Sequence, residues 1–104
     1  MSTIHFNIER ISGSITTLGG LNGEMNLPEG MAEEIRQIVC VPAITGNMYK
    51  FTIVNKDDND MEMFVRDVDG TLNEIVSLPI YGNYKVVISS QSSDDTFKIR
   101  FLYR

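Results

Sequence analysis

Leu78-Pro79-Ile80-Tyr81-Gly82-Asn83-Tyr84-Lys85-Val86-Val87-Ile88-Ser89, followed after a polar loop by Thr96-Phe97-Lys98-Ile99-Arg100-Phe101-Leu102-Tyr103, is the part of the chain that decides the fold. Apolar and polar residues alternate through both runs. Tyr84, Val86 and Ile88 form one inward set, and Phe97, Ile99, Phe101 and Tyr103 form the other. Lys85, Ser89, Lys98 and Arg100 point outward. Strict alternation marks half-buried antiparallel strands, and two such runs joined by a polar loop predict a β-hairpin.

Upstream the pattern repeats. Asp69-Gly70 is a favoured two-residue turn, predicting a hairpin of 61–68 with 71–78. With that turn as pivot Met63 faces Val76, Phe64 faces Ile75 and Arg66 faces Asn73. Met61, Met63, Val76 and Leu78 then share one face, and Phe64, Val68 and Ile75 the other. Apolar residues on both faces call for a cover, either within the domain or from a partner. Residues 49–54 are expected to pair with 61–66 around the polar loop 55–60. Ile35–Val41 reads as a strand stopped by Pro42, although 31–37 has room for about two helical turns.

The first thirty residues hold a clean alternation at Ile4, Phe6 and Ile8, then an internal echo. Ile11-Ser12-Gly13-Ser14-Ile15 is answered by Leu21-Asn22-Gly23-Glu24-Met25. In each unit two inward side chains flank a glycine, which leaves space for another group to come close. The expectation is an all-β chain, an antiparallel β-sandwich or jelly-roll-like domain of about eight short strands. Residues 31–104 would form its body, and residues 1–30 an N-terminal strand segment open to exchange with a neighbour.

The chain has 104 residues and a net charge of −5, which argues against nucleic acid and anionic membranes as partners. Residues 55–74 contain seven acids and two bases, enough to account for the deficit. Solvated turns explain most of this. A sharper reading sets these acidic segments against a Lys85/Lys98/Arg100 stripe on a neighbouring copy. The single cysteine, Cys40, lies in an apolar run and is expected to be a buried, inert thiol. The N-terminus lacks the pattern of an export signal, and no apolar run is long enough to span a membrane.

Catalytic patterns are missing from the sequence. His5, the one histidine, sits on the polar face of its strand, and Gly19-Gly20 lacks the residues of a phosphate loop. Asp58-x-Asp60-x-Glu62 has the first ligand spacing of a calcium loop, but Met63 stands where its glycine belongs. A looser calcium site shared by 55–60, 67–69 and 94–95 is weighed against ordinary turn chemistry, which selects the same residues. A hydrolase would need an enclosed pocket around Glu62, Asp67 or Glu74. No catalytic, cofactor or metal residue is assigned.

The paired apolar-x-Gly-x-apolar units, with Tyr49-Lys50-Phe51-Thr52-Ile53, Leu78–Val86 and Asp94–Ile99, resemble small β-rich accessory proteins of tailed-bacteriophage virions. That resemblance implies a decoration (cement) protein, a head-fibre base or a tail-associated part. Such a part is made in the host cytoplasm, resides in the virion in many copies, binds capsid or tail proteins and needs no cofactor. The interaction residues expected on this basis are Met61, Met63, Phe64, Ile75, Val76 and Leu78, with Ile11, Ile15, Leu21 and Met25 in the N-terminal units and Lys85, Lys98 and Arg100 in the basic stripe. The alternative is a calcium- or carbohydrate-binding β-sandwich module that uses the acidic loops.

Overall fold

A computed structural model describes residues 9–104; the alternating segment before them, with His5, lies outside the described residues. Eight strands follow in chain order. They are β1 (Glu9–Thr16), β2 (Gly23–Asn26), β3 (Met31–Pro42), β4 (Met48–Asn55), β5 (Met61–Asp69), β6 (Leu72–Gly82), β7 (Tyr84–Ser89) and β8 (Thr96–Tyr103). A 3-10 turn, Lys56–Asp58, follows β4. Sheet A has the order β1-β8-β3-β6 and sheet B the order β2-β7-β4-β5. All the pairings are antiparallel, so the expected β-sandwich is formed. The helical option for 31–37 is not taken, because this segment lies within β3.

The inward sets are those the alternation predicts. Tyr84, Val86, Ile88, Phe97, Ile99 and Phe101 are all buried. The pairing of their strands differs from the expectation. β7 joins β2 and β4 in sheet B, whereas β8 joins β1 and β3 in sheet A. The two sets therefore face each other across the core. Aromatic residues of β4 meet those of β8 there, with Tyr49 and Phe97 ring centroids 4.8 Å apart and Phe51 and Phe101 6.4 Å apart.

The Asp69-Gly70 hairpin is corrected in the same way. A type I′ turn needs positive φ at both central residues, and only Gly70 has it, at +82°. The chain passes from β5 in sheet B to β6 in sheet A, and the pairs Met63/Val76, Phe64/Ile75 and Arg66/Asn73 do not form. Arg66 reaches Glu74 instead, with its Nε 2.9 Å from Oε2 and its Nη2 2.8 Å from Oε1. The guanidinium also lies 4.2 Å over the Phe64 ring. This bidentate pair bridges the two sheets along the side where β5 and β6 are both unpaired edges. The hairpin of β4 with β5 does form, with a register shift at Ile53/Val54.

Across the molecule, β1 and β2 close the opposite side, and the sequence echo accounts for the fit. Gly13 on β1 receives the Met25 side chain from β2, and Gly23 on β2 receives Ile15 from β1; a Cβ at either glycine would collide with its visitor. Each copy of the unit supplies the space that the other fills. Within the described residues, β1 and β2 pair with β8 and β7 of their own chain, and Ile15 and Leu27 belong to the same core as the body.

Candidate functional site

Inward burial of Phe97, Ile99 and Phe101 fixes what β8 shows to solvent, namely Lys98, Arg100 and Leu102. The register of β1, β3 and β6 then sets three rows across the outer face of sheet A. These are Ser14–Lys98–Val41, Ser12–Arg100–Val39–Asn73, and Arg10–Leu102–Gln37–Ile75. Short side chains on β1 and β3 flank the long cations of β8. The result is a shallow trough of about 530 Å³ lined by Ser12, Ser14, Val39, Val41, Lys98 and Arg100.

The three rows contain no carboxylate. Among the described residues the ion pairs are Arg36–Glu34, Arg66–Glu74, Lys85–Glu24 and Lys85–Asp60, so Arg10, Lys98 and Arg100 take part in none. Lys98 and Arg100 are two residues apart on one strand face, or about 7 Å by strand geometry. They repel one another until an anion is placed between them. Gln37 Nε2 donates to Asn73 Oδ1 at 2.8 Å, which orients the two amides at the trough margin.

The expected Lys85/Lys98/Arg100 stripe is split by the fold. Lys85 lies on β7 in the other sheet, with its Nζ 3.1 Å from Glu24 and 3.4 Å from Asp60. These carboxylates, the Glu24 hydrogen bond first, raise its pKa. The predicted apolar faces are redistributed as well. Phe64 and Ile15 are buried in the core, and Ile11, Met25, Val76 and Leu78 are partly buried against it. Ile75 (84 % exposed) on β6, Leu21 (71 %) between β1 and β2, and Met61 (51 %) and Met63 (38 %) on β5 remain open. Alternation in β6 separates Ile75, on the outer face, from Val76 and Leu78.

The acidic loops are also dispersed. The turn at 55–60 sits with Gly82 and Asn83 at one end of the sandwich. Asp57 Oδ2 there accepts from the Asn83 backbone N–H at 2.9 Å and Oδ1 from its side-chain amide at 3.1 Å. Those bonds, the backbone one foremost, hold the Asp57 carboxyl below its usual range. Asp94 and Asp95 lie at the opposite end. Asp94 accepts from the Gly20 N–H at 3.1 Å. Asp95 accepts from the Ile44 N–H at 2.8 Å, the Thr96 N–H at 2.7 Å and the Asn47 side-chain amide at 3.1 Å. Asn47, itself buried, also donates to the Ser93 carbonyl and accepts from Ser92. Among the described residues no three His, Cys, Asp or Glu side chains gather so as to hold a metal ion. Glu62 and Asp67 are exposed, and Glu74 is held by Arg66.

Sequence reasoning found Lys98 and Arg100 but missed the rest of the trough. Ser12 and Ser14 were legible as the outward partners of Ile11, Gly13 and Ile15. Their position beside Lys98 and Arg100 depends on β1 pairing with β8, about eighty residues away.

No family model matches the chain, and no curated protein does. Among solved structures the chain is similar to the Yersinia pseudotuberculosis-derived mitogen, with 16% identity, 91% of this chain and 84% of that one covered and a TM-score of 0.50. A carbohydrate-binding module, CBM36, in complex with calcium and xylotriose matches at 8% identity, with 94% of each chain covered and a TM-score of 0.42. The first likeness shows a shared β-sandwich fold. Neither structure is a phage protein.

Proposed function

We propose that the chain is a non-enzymatic binding module that takes a carboxylate-bearing partner on the outer face of sheet A. One observation carries the reading: Arg10, Arg100 and Lys98 share three rows that hold no acid, in a chain whose net charge is −5. Approaching carboxylates relieve the repulsion between neighbouring cations and gain their attraction. Val39 and Val41 offer apolar surface beside the charges, and Ser12, Ser14 and Asn73 offer hydrogen bonds at the margins. The rows include no aromatic ring, so a nucleic-acid strand would find no stacking platform. A non-enzymatic role fits the state of the reactive groups. Glu62 and Asp67 are exposed, Glu74 is held by Arg66, and burial pushes the Cys40 thiol up to about 11. A uronate-bearing carbohydrate carries the required carboxylates, and so does an acidic protein surface such as a virion part could present.

Retention on immobilised polygalacturonate, compared with neutral dextran, tests the reading. The folded chain should be retained on the former, with release by added salt. The double reversal Lys98→Glu/Arg100→Glu should weaken retention at least tenfold, about 1.4 kcal/mol. Equal retention on dextran, or an unaffected double variant, would sink the assignment.

A further inference from the structure

The carboxylates suited to the basic face are present on the chain itself. The outer face of sheet B has Asp67 and Asp69 on β5, opposite Lys50 and Met48 of β4 in the register. Together with Ser90 these residues line a second shallow depression of about 270 Å³. Asp67 and Asp69 form no ion pair among the described residues. We propose that copies of this chain stack face to back, with Lys98 and Arg100 of one copy against Asp67 and Asp69 of the next. The proposal rests on the reading of sheet A's outer face as a carboxylate acceptor and names the source of the carboxylates.

Three features support the match. The cations are spaced i, i+2 on one strand and so are the acids, so both pairs repeat at about 7 Å. Each charged pair is bordered by open apolar side chains, Val41 and Ile75 on the basic side and Met48 on the acidic side, and methionine adapts to an irregular counterpart. The molecule measures 53 × 32 × 18 Å. Its broad faces are ample for the roughly 800 Å² per partner of an ordinary specific interface. Net repulsion between two copies is screened beyond about 8 Å at physiological salt, which leaves the pairs in contact to decide. The two surfaces lie on opposite sides of one molecule, so the contact is heterologous and continues into a ring or an open stack.

Sedimentation velocity across a concentration series at 0.1 M salt tests this, together with the charge-reversed variants Lys98→Glu/Arg100→Glu and Asp67→Lys/Asp69→Lys. The wild-type chain should self-associate. Each variant alone should show a dissociation constant at least tenfold higher, because it presents like charges on both faces. An equimolar mixture should regain association, since every contact is then between opposite signs. All four positions are exposed, and matching circular dichroism and melting temperature will verify that each variant folds. A wild-type chain that stays monomeric overturns the proposal, as does a mixture that remains dissociated. If that chain still binds polygalacturonate, the carboxylate-acceptor reading stands and only the self-stacking fails.

Discussion

At Asp95 two opposing effects meet on one carboxyl group. Burial raises its pKa, but hydrogen bonds from Ile44, Asn47 and Thr96 outweigh it, so the group titrates below the usual carboxylate range. The sign of the pH effect follows from linkage. Asp95 stabilises the fold fully above about pH 4, where an unfolded carboxyl is already ionised. That contribution is lost as the pH falls through the lower folded value. Asp95→Asn should cost about 1–3 kcal/mol at neutral pH and flatten the acid limb of stability in melts from pH 6 to 2. A variant with the wild-type acid limb would refute this account. The two interlocked glycines should respond unequally to alanine. At Gly23 the new methyl meets the β-branched, stiff Ile15, and overpacking there should cost about 1–3 kcal/mol. At Gly13 it meets flexible Met25, so the loss should be smaller by denaturant melts. The Cys40 thiol, buried and pushed up to about 11, should resist alkylation at pH 8 until the chain is unfolded.

The bidentate bridge between Arg66 and Glu74 spans two elements that share no ladder. Both side chains are substantially exposed, so Glu74→Ala should cost no more than about 1 kcal/mol. Its clearer readout is faster amide exchange in the edge strands β5 and β6. Unchanged exchange there would rule out a sealing role. These elements also mark where sequence reasoning stopped. Period-two alternation made the inward residues of β7 and β8 legible, because burial on one face dictates it. It does not specify which neighbour a strand adopts. A strand crossing to the opposite sheet presents the same pattern as one turning back alongside. At Asp69-Gly70 the local turn preference pointed to a hairpin, and Asp69 does not take the positive φ which that hairpin requires. The basic face was half legible for the same reason. Lys98 and Arg100 follow from β8 alone, whereas Ser12, Val39 and Asn73 join them only through distant pairing.

At the scale of the whole molecule, the two outer faces differ in the charges they leave without an ion pair. Among the described residues, Lys98 and Arg100 on the outer face of sheet A and Asp67 and Asp69 on β5 of sheet B form no ion pair. Among the described residues five of the six ladders join strands that are not consecutive in the chain, and only β4 with β5 is a hairpin. Folding should therefore fall in the millisecond-to-second range of domains built on non-local pairing. Stopped-flow refolding measures it, and a microsecond phase carrying the full amplitude would contradict the topology. In the β1–β8 ladder, Glu9 lies opposite Tyr103 and Thr16 opposite Thr96. A pull that separates residues 9 and 103 acts along the inter-strand hydrogen bonds, which run perpendicular to the strands. It loads them one at a time from that end, like a zip. Held by those two points under tension, the molecule would open at low force and in sequence, so a tether that must bear strain would do better to grip it elsewhere.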